Sequence, residues 1–167
     1  MELKNQTSKA IYERVKKEGK FKIYALSIAM QKAEFTVRAA VERLIAGGYF
    51  IWVSNLEFDL KPGIDEACKK FLKDAGCTTW GQADLKYRLL VTKDTSVQIM
   101  QALESRDLKT GELSELIGVK PPNISGILSQ LKQVGFITKD KTVNSMNKKE
   151  VRRFMSALKT FNEFLNK

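Results

Sequence analysis

The side chains best placed to do chemistry in this chain are Lys120, Pro122, Asn123, Ser125 and Ser129, within KPPNISGILS, followed by Lys139 and Lys141 in TKDKT. Short hydroxyl and amide groups hydrogen-bond to polar edges, and lysines neutralise phosphates. The set therefore suits contact with a polyanion rather than the making or breaking of bonds. Catalytic alternatives are scarce. The chain has no histidine, the commonest general base and a member of most nucleophilic triads. Cys68 and Cys77 stand alone as thiols, whereas a zinc site draws four ligands mainly from Cys and His. They read as two reduced, semi-buried cysteines. No glycine-rich phosphate loop is present. The expectation is no catalytic residue, no metal, no cofactor and no enzyme.

Charge agrees with a polyanionic partner. The 167 residues carry 29 Lys+Arg against 19 Asp+Glu, a formal net charge of +10. Lysine and arginine near phosphates release condensed counterions, so such an excess favours nucleic acid. Residues 1–60 hold 10 basic and 7 acidic groups, net +3, and residues 96–167 hold 12 and 7, net +5. The excess leans towards the C-terminal half. Apolar content of 43% supports a packed core. No apolar run is long enough to span a membrane, and MELKNQTSKAIYERVKK lacks an apolar signal-peptide centre. A cytoplasmic, nucleoid-associated protein is expected.

The elements that must position these side chains follow from periodicity. Val97, Met100 and Leu103, beside Ile99, recur at helical spacing, with Thr95 or Ser96 as the cap. A second, short helix starts near Thr110 with Leu113, Leu116 and Ile117 as its apolar face, and Gly118 stops it. Pro121 and Pro122 suit the first turn of a third helix, where a missing N–H costs nothing. That helix buries Ile124, Ile127, Leu128 and Leu131, spaced i, i+3, i+4, i+7. Gly135 ends it and Phe136-Ile137 begins a strand. Val119 anchors the turn, and the polar side of the third helix faces outward. A recognition helix enters the major groove by its N-terminal part. Asn123, which can pair bidentately with adenine, is the expected base contact. Lys120 and Ser125 are expected at the backbone, with Lys139 and Lys141 at the tip of a basic hairpin. The same unit also suits packing or dimerisation.

The stretch ELSELIGVKPPNISGILSQLKQVGFI is similar to the core of winged helix-turn-helix regulators of the MarR and ArsR type. Leu131, Gly135, Phe136 and Ile137 match the family's passage from recognition helix to wing. The resemblance covers about 45 residues and implies a fold more than a function. One departure stands out: an arginine common in such recognition helices is replaced around Ser125-Gly126. That leaves phosphate-binding charge to Lys120 and the wing.

The pattern recurs. A shift of 87 residues lays Leu26 on Leu113, Ala29 on Leu116, Met30 on Ile117, Val37 on Ile124, Val41 on Leu128, Leu44 on Leu131, Gly48 on Gly135 and Tyr49 on Phe136. Few polar positions agree, so two similar folds with different surfaces are expected. The first unit would comprise helices 7–18, 21–30 and 33–46, then the apolar strand YFIWV. Its candidates for DNA contact are Lys32, Thr36 and Arg38, with Arg43 beside them. Glu34 and Glu42 are interleaved, and Glu57 and Asp59 make its wing acidic. That surface fits either DNA or a protein partner.

Residues 62–76 form an amphipathic helix, whereas TTWGQADLKYRLLVTK fits a strand or a helix equally. Trp80 and Tyr87 read as core, with stacking on unpaired bases as the alternative. The C-terminal NKKEVRRFMSALKTFNEFLNK is an amphipathic helix with Val151, Phe154, Leu158, Phe161 and Leu165 as its stripe. The stripe lies either on the second unit or against another copy in a homodimer. Lys148, Lys149, Arg152 and Arg153 at its start oppose the helix dipole, which reads as a solvated face, with a nearby anion as the alternative.

The expected fold is mainly α with small β-wings: winged helix-turn-helix units at 1–60 and 95–145, a packed connecting segment at 61–94, and a C-terminal helix at 146–167. The expected function is sequence-specific binding of double-stranded DNA by a transcriptional regulator. A plasmid or viral replication initiator or partition protein is the alternative, and a protein-binding adaptor is a third.

Overall fold

The first long helix, α1 (Gln6–Glu18), begins where Asn5 turns its side chain back: Oδ1 accepts from the N–H groups of Thr7 and Ser8 at 2.9 and 3.2 Å. Two of the donors orphaned at a helix start are thereby satisfied. In this computed structural model, which describes residues 2–54, 57–140 and 142–167, α1 is followed by β1 (Phe21–Lys22), α2 (Ile23–Met30), α3 (Glu34–Ala46), β2 (Phe50–Trp52) and β3 (Glu57–Leu60). Then come α4 (Ile64–Asp74), α5 (Trp80–Tyr87) and a π-helical turn at Arg88–Thr92. After these, α6 (Asp94–Ser105), β4 (Leu108–Lys109), α7 (Thr110–Ile117), α8 (Pro121–Gln133), β5 (Ile137–Asp140), β6 (Val143–Met146) and α9 (Lys148–Leu165) complete the order. The fold is mainly α with two small antiparallel sheets, ordered β1-β3-β2 and β4-β6-β5. Contacts divide the chain into one unit of Met1–Phe71 with Lys159–Lys167 and another of Leu72–Leu158.

Both units use the same positions for their cores. Leu26 and Leu113, Val37 and Ile124, and Leu44 and Leu131 are all fully buried, as the shift of 87 residues requires. Ser8 and Ser96, one residue out of that shift, are buried as well. After α3 and after α8 the chain turns at Gly48 and Gly135, with φ of 73° and 79°, a region open to glycine at little cost. At Gly48 a Cβ would also lie 2.6 Å from the Leu165 carbonyl oxygen. The next residue is aromatic in each: Tyr49 meets Phe161 edge-on at 6.1 Å, and Phe136 meets Phe154 edge-on at 5.8 Å. Phe71 stacks on Phe161 at 4.7 Å in the first unit.

The stripe of α9 is thus spent inside the chain: Phe154, Leu158 and Phe161 are buried, Val151 and Leu165 half-buried. Homodimerisation through that stripe loses its surface. Arg153, expected on a solvated face or near an anion, is exposed and donates to the Asp74 and Lys73 carbonyls at 2.8 and 2.9 Å, satisfying the end of α4. Lys148, Lys149 and Arg152 remain exposed.

Several expectations need correction. Phe21-Lys22 forms a strand rather than a helix start, pairing with Phe58 and Glu57. The ambiguous segment is helical at Trp80–Tyr87, and Trp80 and Tyr87 are half-buried. Neither Thr95 nor Ser96 caps α6, which begins at Asp94; the Ser96 hydroxyl donates to the Leu89 carbonyl at 2.6 Å. Leu116 does not join the buried face of α7 but is 62% exposed.

Sequence reading also missed a buried cation. Lys86, 4% exposed, donates to Glu150 at 2.6 Å and to the Ala75 carbonyl at 3.0 Å, with its ammonium 5.5 and 5.8 Å from the Phe136 and Phe154 ring centres. The pair ties α5 to α9. Cys68 and Cys77 are free and buried. Burial pushes the Cys68 thiol up to about 12 and raises that of Cys77 as well, which makes both poor nucleophiles.

Candidate nucleic-acid interface

The second unit builds its outward face from a tightly pinned turn. Gly118 adopts φ 72° and gives its N–H to the Ser114 carbonyl at 2.9 Å, while the Ser114 hydroxyl donates to the Val119 carbonyl at 2.6 Å. Half-buried Val119 holds the turn. At the start of α7, the Lys109 N–H donates to the Glu112 carboxylate at 2.6 Å. Lys120 then occupies the N-cap of α8, with Pro121 and Pro122 in its first turn. Ile124, Ile127, Leu128 and Leu131 are buried beneath, and Lys120, Pro122, Asn123, Ser125, Gly126 and Ser129 are exposed above. A Cβ added at Gly126 would meet nothing within 4 Å, so this face is open.

The hairpin β5–β6 stands beside that helix, with Lys139 opposite Asn144 and Thr138 opposite Ser145. Thr138, Lys139 and Asp140 are exposed; Lys141 lies outside the described residues. Between helix and hairpin runs a cleft of about 210 Å³ lined by Thr110, Ser125, Leu128, Ser129, Lys132, Ile137, Lys139 and Asn144. Of the expected contact residues, Ser125, Ser129 and Lys139 share this cleft, while Lys120, Pro122 and Asn123 sit at the start of the helix outside its lining. Lys132, Thr110 and Asn144 were not anticipated. Lys132 follows Ser129 by one helical turn, and that spacing could have revealed it. Asn144 is buried and donates to the Leu108 carbonyl at 3.1 Å, so its part is to hold β6 against β4. Among the described residues the cleft lining holds two lysines and no carboxylate.

The first unit presents a different chemistry on the equivalent face. Lys32 is exposed and Thr36 half-buried. Arg38 is exposed but ion-paired with Glu34 at 2.8 Å. Phe35 is 76% exposed where the second unit has Pro122, and Trp52 is 45% exposed where it has Lys139. Ile51 and Val53 beside Trp52 are exposed too. On the acidic wing, Glu57 lies 3.6 Å from Lys20, and the Asp59 carboxylate accepts the Leu60 N–H at 2.7 Å.

A helix, a short strand, a two-helix turn and a hairpin that completes a three-stranded sheet define a winged helix-turn-helix, and residues 94–146 have that form. Residues 93–139, from the start of α6 into β5, match the family model described as bacterial regulatory protein, arsR family. No curated protein sequence matches the chain. Among solved structures, the mRNA-binding domain of elongation factor SelB from E. coli, in complex with SECIS RNA, aligns at 10% identity with a TM-score of 0.28. That alignment takes in 85% of this chain and 98% of the other, and so shallow a superposition bears no inference about partner. Among the described residues no helix is long and apolar enough to cross a membrane.

Proposed function

We propose that this chain is a sequence-specific, double-stranded DNA-binding transcriptional regulator built from tandem winged helix-turn-helix units, acting in the cytoplasm on the nucleoid. The observation that carries the reading is the division of α8: one side wholly committed to the core, the other small, polar and open, with lysines on the adjoining cleft. A helix of that kind can bring Asn123 to an adenine edge at its N-terminal end. Lys120 and Ser125 position it on the backbone, Pro122 keeps the approach close, and Ser129, Lys132, Lys139 and Lys141 meet the phosphates along the flank. The match of 93–139 to a family of regulatory proteins supports regulation as the use of that binding. In the first unit Lys32, Thr36 and Arg38 lie outside the proposed contact, because Glu34 pairs with Arg38 and Glu42 would repel phosphate.

The test is to map bound genomic DNA and then titrate the recovered site. A regulator should occupy short sites near promoters, with affinity falling steeply as salt rises. Sites confined to repeats at an origin would favour a replication initiator, and no duplex binding at low salt would overturn the proposal.

A further inference from the structure

A second cleft, of about 360 Å³, lies between α5, the end of α8 and the start of α9, wholly within the second unit. That volume is in the range of small-molecule sites, which join an apolar wall to a few placed polar groups. Its floor is the pair of Lys86 and Glu150. Lys86 is fully engaged: its ammonium holds Glu150 Oε1 and the Ala75 carbonyl, with two aromatic rings beside it. Glu150 is not. Its other oxygen, Oε2, meets only Arg153, at 3.8 Å, among the described residues. The carboxylate can therefore still accept a hydrogen bond.

The remaining lining supplies the complement. Gln82 turns Oε1 to the Thr78 N–H and hydroxyl, at 2.8 and 2.9 Å, which leaves its amide N–H groups as donors. Asn147 spends both ends of its amide, on the Gly135 carbonyl and the Glu150 N–H, and so steadies the floor. Leu85 and Val134, both half-buried, are the apolar wall. Exposed Lys132 stands at the rim. With Lys86 and Glu150 cancelling, it gives the lining one net positive charge.

We infer that this cleft binds a nucleoside monophosphate whose base carries an exocyclic amino group. Such a base offers an N–H to Glu150 and an adjacent acceptor to the Gln82 amide. Carboxamides read adenine edges in duplexes by the same kind of pairing. The flat face of the base lies on Leu85 and Val134, and the phosphate takes Lys132 in a charge-assisted bond. A simple anion would use Lys132 alone and leave Glu150 and Gln82 unmatched. Lys132 is the one residue that lines both this cleft and the one beside the hairpin. Nucleotide binding is nevertheless measured without DNA and does not rest on the proposed function.

Titration of the isotope-labelled full chain with adenosine monophosphate should saturate with a Kd below about 1 mM, shifting the amide signals of Gln82, Val134, Gly135 and Glu150. Gln82→Glu keeps an acceptor for Thr78 but removes the amide donors. It should weaken binding about tenfold, as should Lys132→Ala. Inorganic phosphate, adenosine and uridine monophosphate each lack one of the matched groups and should each bind about tenfold more weakly. Tighter binding of a short single strand ending in adenosine monophosphate would place the same chemistry at a strand end, and weaker binding in the free nucleotide. The inference is overturned by an absence of saturation, by shifts confined to other elements, or by either variant binding like the wild type. It is equally overturned if phosphate or uridine monophosphate binds as tightly as adenosine monophosphate. Loss of duplex binding with nucleotide binding intact would count against the proposed function alone.

Discussion

The two units repeat the same elements at the same spacing but differ in what they show to solvent. Their buried positions agree almost residue for residue: Leu44 with Leu131, Val37 with Ile124, Gly48 with Gly135. Their outer faces share little: Phe35 stands for Pro122, Glu42 for Ser129 and Trp52 for Lys139. A core tolerates only what fills its volume, whereas an outer face answers to its partner. The contrast therefore reads as one scaffold carrying two unlike surfaces.

The largest effects should come where the units agree. Leu44→Ala and Leu131→Ala each remove a fully buried side chain and should each cost about 2–5 kcal/mol in urea unfolding. A large loss at one site and almost none at the other would break the equivalence of the cores. Next come the faces. Asn123→Ala should cost about 1–3 kcal/mol on the preferred duplex and relax base preference. Thr36→Ala, at the matching position, should change neither; equal losses would mean that both units read DNA. A subtler difference lies at the turn between the paired helices. Gln31 holds φ 52° where Gly118 holds 72°, and a side chain there costs about 1 kcal/mol. Gln31→Gly should raise the melting temperature and Gly118→Gln should lower it. The smallest effect is electrostatic: Lys139→Ala should weaken all duplexes alike and reduce the slope of log K against log salt by about 1.

Much of this was legible in the chain itself, for reasons that are local. Gly118, Pro121, Pro122 and Gly135 punctuate the helices through backbone geometry, and Ile124, Ile127, Leu128 and Leu131 follow the helical period, so α8 was readable to within a residue or two. What was hidden depends on neighbours distant in sequence. Nothing near Lys86 announces that Glu150 and two aromatic rings will bury it. The same holds for Ser96, which resembles a cap but serves the Leu89 carbonyl. YFIWV looks like core, yet the last three of its residues lie outside because its strand is a wing. For the site, residue types pointed to Ser125, Ser129 and Lys139. Their meeting in one cleft with Lys132 needed the hairpin's position beside α8.

The central claim is that duplex DNA meets α8 of the second unit and not its counterpart α3. Photocrosslinking from a thiol-linked probe tests it, because buried Cys68 and Cys77 should not take the label. The probe is placed at Ser125→Cys in one protein and at the equivalent Arg38→Cys in another, each mixed with its mapped duplex. The account predicts adducts from position 125 and none from position 38. Silence at 125, or equal yields from both positions, would contradict it.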